Sequence, residues 1–259
     1  MLPIRHWFDF LFPPRGDETA VHNVSIDAFL ARMAPKLTPV TRPATVALLP
    51  FHDISVRSAI HEVKYHGTEH AFTLLAASLA EYLRNNNEGF RKTVRLAIPA
   101  AQRTGHWRTN TMVFCWTRMR PPPRMFNFGH SASPQSERGT LADASKPIII
   151  PIPLGKKRRA ERGFNQIEDI IQRAVNSLDI AIDTTLLERT RETVSQVSLP
   201  RHKREANMRG AFKTTRPADP SRTYIVIDDV ITTGATLQAA IDALQKAGAA
   251  HIVPLALAH

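Results

Sequence analysis

The stretch TYIVIDDVITTGAT, residues 223–236, constrains the fold of this chain more than any other part of its sequence. The β-branched run 225–227 predicts a buried strand, and two adjacent aspartates, Asp228 and Asp229, follow it directly. A short loop of threonines around Gly234 then leads into the helical pattern TLQAAIDALQKAG. A strand, a loop and a helix in this order are typical of α/β proteins with a parallel sheet.

The remainder of the second half repeats this alternation of strand and helix. KPIIIPIPL at 146–154 is apolar enough for a strand buried on both faces, and HIVPLALA at 251–258 predicts a closing strand. Gly248 is the expected end of the helix that precedes the closing strand. Two segments have apolar residues at helical spacing: Ile167, Ile170, Ile171, Ala174 and Leu178 in the first, and Leu237, Ala240, Ile241 and Leu244 in the second.

The first half is predicted to be helical, with an irregular segment after it. VSIDAFLARM favours a short helix, DISVRSAIHEVKYHG a helix that ends at Gly67, and EHAFTLLAASLAEYLRNN a longer one. From about 100 to 146 no helical or strand period persists, and a triple proline lies among Ser, Gly and Arg residues. We therefore expect a flexible, disordered insertion there.

Composition excludes several classes of protein. The 259 residues are 43% hydrophobic and 22% charged, as in ordinary globular proteins, and no apolar run approaches the roughly 20 residues that cross a bilayer. Cys115 is the single cysteine, which excludes an internal disulfide framework and any multi-cysteine metal site. The N-terminus lacks the pattern of a secretory signal, so the sequence predicts a cytoplasmic protein without a membrane partner.

The positive charge of the chain is unevenly distributed. The formal net charge is +11, and residues 91–146 hold ten Lys and Arg against two acids, which accounts for +8 of it. The favoured interpretation is that one unusual segment makes the whole chain basic. A weak DNA contact or an acidic protein partner at 91–146 is the alternative.

The aspartates and the loop after them suggest a ligand. In open α/β sheets, ligands bind beyond the carboxyl ends of the strands, where Asp228 and Asp229 are expected. Two neighbouring carboxylates repel each other, so hydroxyl donors or a divalent cation should compensate them. The loop amides and the following helix N-terminus favour an anion. A sugar phosphate combines both features, whereas the motifs G-x-x-x-x-G-K-[ST] and G-x-G-x-x-G are absent from the sequence, which argues against nucleotide hydrolysis and dinucleotide binding.

Four segments together resemble one family. YIVIDDVITTGAT is similar to the 5-phosphoribosyl-1-pyrophosphate (PRPP) motif of type I phosphoribosyltransferases. VKYHG at 63–67, PIPLGKKRRAERGFNQ at 151–166 and LLERTRETVSQVSLPRHKREANMRGAF at 186–212 narrow the resemblance to the ComF-like group. The FDFLFPPR start also resembles that group. The resemblance covers about 1–95 and 147–259 and implies a type I phosphoribosyltransferase-like fold.

The resemblance also implies a division of the chain. Residues 1–55 would form a small N-terminal helical hood, and 56–259 the phosphoribosyltransferase-like domain, interrupted by the insertion at about 100–146. Members of the family often carry four zinc-binding cysteines after the FDFLFPPR start. Here RGDETAVHNV follows without a cysteine, so we expect no zinc.

The resemblance implies Mg²⁺ as cofactor, held with PRPP, with Asp228 and Asp229 as candidate protein contacts for the ion. The catalytic residues implied are Asp228, Asp229, Arg189 and Arg191. The residues implied in PRPP binding are Asp228, Asp229, Thr232, Thr233, Gly234, Ala235, Thr236, Lys156, Lys157 and Arg158. The segment PIPLGKK would be the pyrophosphate loop, with Arg159 and Arg162 as further charges near it. The alternative interpretation of RGFNQ, residues 162–166, is an element of helix packing with Asn165 as the N-cap. Residues 189–209 would be a loop that closes over the site, carrying Arg189, Arg191, Gln196, Arg201, Arg204 and Asn207.

Two functions stay open from the sequence. The first is an enzyme that transfers ribose 5-phosphate from PRPP to an unidentified nitrogen acceptor and releases pyrophosphate. The second is a non-catalytic PRPP- or nucleotide-binding competence-type protein that acts in DNA uptake or processing through protein partners. A homo-oligomer is compatible with either function.

Overall fold

The computed structural model describes residues 20–97, 146–176, 178, 180–191 and 201–259. Within them the chain alternates helices and strands, and both kinds of element come from both halves of the chain. In chain order they are α1 Ile26–Leu30, β1 Lys36–Thr38, β2 Thr45–Leu49, α2 Ile54–Tyr65, α3 Glu69–Ala97, β3 Ile148–Pro151, α4 Lys156–Arg162, α5 Gln166–Val175, β4 Ala181–Ile182, β5 Leu187–Arg189, α6 Arg201–Met208, β6 Phe212–Thr214, β7 Thr223–Val230, α7 Ala235–Lys246 and β8 His251–Ala258.

Six strands form one sheet in the order β1-β2-β8-β7-β3-β4. All its neighbours are parallel except β1 and β2, and β5 pairs with β6 in a separate antiparallel ribbon. The sheet is flanked by helices, so the fold is the α/β, type I phosphoribosyltransferase-like fold that the sequence predicts.

The sheet separates two apolar cores, and β7 contributes to both by alternation. Ile225 and Ile227 pack in the first core with α1, α2, α3 and α5. Tyr224 and Val226 pack in the second core with α6, α7 and the β5–β6 ribbon. Successive side chains of a strand point to opposite faces, and burial on both faces explains the nearly continuous apolar run in this strand.

The helical patterns of the sequence are confirmed where the structure describes them. The apolar face of α5 is buried at Ile167, Ile170, Ile171 and Ala174, with Leu178 packed against the same core. α2 ends at Tyr65, followed by Gly67 with a φ of 67°. α7 ends at Lys246, and Gly248 follows with a φ of 102°.

The strands at 36–49 were missed by the sequence analysis, which assigned these residues to the hood segment. β2 pairs in parallel with β8, through Val46 with Leu255 and Leu49 with Ala258. TVALL is too short for its period to be distinguished from that of a helix, and its partner is more than 200 residues away. Also within the predicted hood segment is α1, whose Phe29 is fully buried in the first core.

Two other expectations lie largely outside the described residues. The start FDFLFPPR and nearly all of the insertion at about 100–146 belong to residues on which the structure gives no information. Among the helices that the structure does describe, none combines the length and hydrophobicity of a membrane-crossing segment.

Candidate functional site

A cleft of about 380 Å³ lies at the carboxyl end of the sheet, between the ends of β3 and β7. The chain leaves β3 through α4 and α5 and returns as β4 on one side. It leaves β7 through α7 and returns as β8 on the other side. This reversal is the topological switch point at which open α/β sheets bind ligands. β3 ends at Pro151 opposite Ile227, while β7 continues to Val230, so the end of β7 reaches the cleft.

The two aspartates belong to opposite faces of the sheet. Alternation along β7 places Asp229 with Ile225 and Ile227, and Asp228 with Tyr224 and Val226. Both side chains are partly buried and line the cleft. The two carboxylates therefore leave the strand on opposite sides, although their residues are adjacent in the sequence.

Asp229 is held by side chains from two other elements. Nζ of Lys64, near the end of α2, lies 2.7 Å from Oδ2 of Asp229. Nε2 of Gln166, the first residue of α5, donates to the same oxygen over 3.3 Å. The amide N–H of Val230 donates to Oδ1 over 2.6 Å. Asp229 is thus oriented in the cleft by a cation and two N–H donors.

The two carboxyl groups differ in acidity. Burial, together with the neighbouring Asp229 carboxylate, raises the pKa of Asp228 to about 7. Burial also opposes ionisation of Asp229, but the Lys64 ammonium and the N–H donors outweigh it and lower the pKa of Asp229. Near neutral pH the pair therefore holds one firm negative charge and one that is readily neutralised.

The loop after β7 supplies a different kind of surface. Thr232, Thr233 and Thr236 line the cleft, and Arg204 Nη1 donates to the Thr232 hydroxyl over 3.3 Å. The loop leads into α7, whose N-terminal residues Ala235 to Leu237 also line the cleft and whose N-cap, Gly234, makes no side-chain capping bond. Hydroxyl groups beside the N-terminus of a 12-residue helix favour an anion.

Gly234 is required for two reasons. Its φ of 74° is in the left-handed region, and a Cβ at this position would come within 2.8 Å of the Val40 carbonyl oxygen and of Thr41 Cγ2. Gly234 is also among the residues that the family resemblance implies in PRPP binding. The structure shows that its missing side chain makes room for the connection between β1 and β2.

The motif RGFNQ links the end of β3 to the cleft. Asn165 is the N-cap of α5, accepting from the Ile167 amide over 3.3 Å, and its Nδ2 donates to the Ile152 carbonyl over 3.1 Å. The alternative interpretation of this residue as a helix cap is thereby confirmed. Gln166 is 2% exposed, and its Oε1 is buried without a hydrogen-bond partner in the part of the chain that the structure describes. That oxygen can accept a hydrogen bond from a ligand in the cleft.

Five cations line the cleft, and they come from four separate segments: Lys64, Arg158, Arg162, Arg189 and Arg204. We call these residues the basic group. Asp228 and Asp229 are the two carboxylates among the lining residues, so the described lining carries an excess of positive charge. Such a cleft attracts an anionic ligand while still offering carboxylates to its hydroxyl groups.

The structure brings most of the predicted residues together. The lining includes Asp228, Asp229, Arg158, Arg189 and the whole loop 232–236. Lys156 and Lys157 begin α4 but do not line the cleft. Arg191 also lies outside the lining, because its guanidinium donates to the carbonyl oxygens of Asn207 and Arg209 over 2.8 and 3.0 Å. Gln196 lies outside the described residues.

Lys64 and Gln166 are the site residues that the sequence analysis did not assign. Both belong to motifs quoted for the family resemblance, VKYHG and RGFNQ. The sequence feature that could have indicated them is a polar residue within each of these motifs. Its partner could not be read from the sequence, because 165 positions separate Lys64 from Asp229 and 63 separate Gln166 from it.

Comparison with known proteins gives relatives of one type, although no protein-family model matches the chain. The "DNA utilization protein YhgH" of Escherichia coli K12 is 34% identical over 104 residues, 40% of this chain and 45% of that protein. "Competence protein F" of Haemophilus influenzae is 35% identical over 106 residues, 40% and 46% of the two chains. "Competence protein ComFC" of Streptococcus pneumoniae is 34% identical over 110 residues, 42% and 46%.

These matches agree with the motifs and with the fold. Each spans a little under half the length of the curated relative, and each relative is a competence or DNA utilization protein by name. The names describe those proteins and do not specify a reaction. Taken with the parallel sheet and the four motifs, they support the resemblance of this chain to the ComF-like family.

Proposed function

We propose that this protein binds PRPP with Mg²⁺ in the cleft and transfers its ribose 5-phosphate group to a nitrogen acceptor. One observation supports this proposal most strongly: an acidic pair and a threonine-rich loop at a helix N-terminus share one cleft that is lined by five cations. A ligand with hydroxyl groups between two anionic groups matches that distribution of charge. PRPP is such a ligand, and the ComF-like resemblance favours it over other phosphorylated sugars.

Each part of the cleft has a role in this proposal. Asp228 and Asp229 accept hydrogen bonds from the ribose hydroxyl groups, and Lys64 keeps Asp229 ionised for that purpose. The Thr232–Thr236 loop and the first turn of α7 hold the 5-phosphate. Arg158, Arg162, Arg189 and Arg204 neutralise the pyrophosphate.

The reaction needs no covalent intermediate with the protein. The acceptor nitrogen attacks the anomeric carbon, a C–N bond forms, and the C–O bond to pyrophosphate breaks with its electron pair on the leaving oxygen. Negative charge grows on the pyrophosphate during this step. Fixed cations of the basic group stabilise that charge without having to reorganise.

The donors of the cleft also fit Mg²⁺. This ion prefers oxygen ligands and is commonly held through one or two carboxylates and the phosphates of the substrate. The Asp228 carboxylate fits that role better than Asp229, whose Oδ2 already contacts the Lys64 ammonium. When bound, Mg²⁺ would add positive charge at the leaving pyrophosphate.

Titration calorimetry with Mg·PRPP tests the binding part of the proposal. A hydrogen bond to a charged group contributes roughly 1.5–3 kcal/mol, so Asp228→Asn or Asp229→Asn should each weaken binding by about one to two orders of magnitude. Arg158→Ala should weaken it less, by about fivefold, because three other arginines share its task. Lys156→Ala is the matched control, two positions away in α4, and should leave the affinity unchanged.

Two results of this titration would contradict the assignment. One is an unchanged affinity in both aspartate variants. The other is an effect of Lys156→Ala as large as that of Arg158→Ala, which would indicate a general response to net charge.

The second candidate is a non-catalytic protein that uses PRPP or nucleotide binding in DNA uptake or processing. The names of the relatives, competence proteins and DNA utilization proteins, favour this alternative. Pyrophosphate release measured against a panel of nucleobases and amines separates the two functions. Release that depends on Asp228 supports the transferase. Tight PRPP binding without release, combined with salt-dependent DNA binding that deletion of residues 100–146 abolishes, supports the binding protein.

A further inference from the structure

A second cluster of polar side chains lies at the carboxyl end of α2, apart from the residues that line the cleft. His61, Glu62 and His66 each offer one ligand atom of the kind that binds metals, and these atoms all lie within 4.8 Å of one another. Two imidazoles and one carboxylate are a ligand set of transition-metal sites in proteins. No role in PRPP binding accounts for them.

His61 has an unused ligand atom. Its Nδ1 is buried and has no hydrogen-bond partner among the described residues. The His61 ring lies near two other rings, with its centroid 4.7 Å from that of Tyr65 and 5.6 Å from that of His66. A buried polar atom without a partner is costly, and a metal ion in the cluster would supply the missing interaction.

Glu62 is a buried carboxylate with incomplete charge compensation in the described structure. It is 5% exposed. Its Oε2 accepts a hydrogen bond from the Thr68 hydroxyl, and Nε2 of His22 lies 3.7 Å from the same oxygen. Burial of a carboxylate requires a cation or several donors. A divalent ion would supply that charge, and Thr68 would orient the carboxylate toward it, as outer partners do in known metal sites.

The backbone around the cluster also favours a cation. The amides of His66 and Gly67 both donate to the Glu62 carbonyl, over 2.9 and 2.7 Å, and so close the end of α2. The carboxyl end of a helix carries partial negative charge. His66 is exposed, so its ring can move the short distance that separates the present spacing from the roughly 3.3 Å between ligand atoms of a tetrahedral zinc site.

We propose that His61, Glu62 and His66 bind one divalent transition-metal ion of the zinc type, with His22 or a water molecule at the fourth position. The expectation of no zinc rested on the missing cysteines, whereas the present ligands are two histidines and a glutamate. The site has a second consequence, because residues 61–66 include Lys64, which contacts Asp229. A bound ion would restrict the motion of the segment that carries Lys64. It would thereby stabilise the contact of Lys64 with Asp229 in the cleft.

Zinc and cobalt binding to the full chain, purified without a histidine tag, tests this proposal. Isothermal titration with Zn²⁺ should give one equivalent per chain, and Co²⁺ should show the strong visible absorption of a tetrahedral site. His66→Ala, at an exposed position, should lower the Zn²⁺ affinity at least tenfold and abolish the Co²⁺ absorption. At one Zn²⁺ concentration, the rise in melting temperature should be smaller for His66→Ala than for the unsubstituted protein.

His52→Ala is the matched control, since His52 is an exposed histidine at the start of the same helical region. It should bind Zn²⁺ like the unsubstituted protein. Glu62→Gln provides a second test, with its fold verified by circular dichroism, and should also lower the affinity. The proposal is overturned if no equivalent of Zn²⁺ binds, or if His52→Ala and His66→Ala bind the ion equally well.

Discussion

The residues from Asp228 to Leu237 line the cleft as one continuous stretch of chain, whereas the cations of the basic group come from α2, α4, β5 and α6. We call the first set the acidic segment. Its geometry follows from a buried strand, one left-handed glycine and a helix start, all within ten residues. The geometry of the basic group depends on the tertiary fold, because no two of its four segments adjoin in the sequence.

The two sets therefore respond differently to substitution. The acidic segment is stabilised mainly by local backbone structure and by the core beneath it, where Ile231, Ala235 and Leu237 are buried. The basic group contacts it through Lys64 with Asp229 and through Arg204 with Thr232. Changes in backbone conformation should affect the first set most, and changes in charge should affect the junction between the two.

Gly234→Ala should have the largest effect on stability. A left-handed residue with a Cβ costs roughly 1–2 kcal/mol, and overlap with a packed neighbour adds about 1–3 kcal/mol. We expect the free energy of unfolding, measured with urea, to fall by about 2–5 kcal/mol in total. The Val40 carbonyl oxygen is backbone and cannot move aside without disturbing the connection to β2.

Gly163→Ala is the matched control for this substitution. Gly163 has a φ of 79°, and a Cβ there would have no atom within 4 Å. It should therefore show only the backbone cost, about 1–2 kcal/mol. Equal losses in the two variants would mean that the contact with Val40 does not constrain the acidic segment.

Lys64→Met tests the junction between the two sets. The substitution leaves the Asp229 carboxylate partly buried without its cation, so the pKa of Asp229 should rise and stability should fall. A charge-assisted hydrogen bond of this kind contributes about 1.5–3 kcal/mol, and the roughly one-fifth exposure of both side chains favours the lower end. Urea unfolding at neutral pH measures the loss.

A double substitution, Lys64→Met with Asp229→Asn, should recover part of that loss, because no unpaired charge then remains. Lys213→Met is the control, since its pair with Glu188 is 3.4 Å long and more than half exposed on the lysine side. It should cost less than about 1 kcal/mol. A greater loss for Lys213→Met than for Lys64→Met would contradict the role given to the junction.

The pH dependence of stability should sharpen the contrast within the acidic pair. The pKa of Asp228 is raised to about 7, so the folded protein retains a proton that the unfolded chain has already lost. The stability contributed by Asp228 is therefore full at low pH and is lost as pH rises from about 4 through 7. Asp229, with its lowered pKa, contributes in the opposite sense and only in more acidic solution.

Melting temperatures between pH 5 and 8 test this difference in acidity. Relative to the unsubstituted protein, Asp228→Asn should flatten the decline of stability across the range. The pKa of Asp229 is lowered, so this carboxyl group does not titrate between pH 5 and 8. Asp229→Asn should therefore not flatten the decline by removing a titrating group. Parallel curves for the unsubstituted protein and Asp228→Asn would show that burial does not raise the pKa of Asp228.

The acidic segment could be predicted from the sequence because its determinants are local. The β-branched run 225–227, the two aspartates and the helical pattern after Gly234 each act on their near neighbours. The same holds for Asn165, whose side chain caps α5 by accepting from the amide only two residues along. The parallel sheet followed from the alternation of such local patterns.

The basic group could be predicted only in part, because charge alone does not specify where a side chain points. Arg158 lines the cleft, while Lys156 and Lys157, its neighbours in one helical turn, do not. Arg191 resembles Arg189 in sequence but caps carbonyl groups near the end of α6 instead. The sequence does not indicate the role of Lys64, because its partner Asp229 lies on β7, which comes close to α2 only in the folded protein.

The alternation of β7 has a mechanical consequence for the acidic pair. Asp228 belongs to the layer that contains α6 and α7, and Asp229 to the layer of α2 and α5. A small molecule that binds both carboxylates connects these two layers across a single strand. A ligand in the cleft would then reduce the mobility of both layers, including residues that do not contact it.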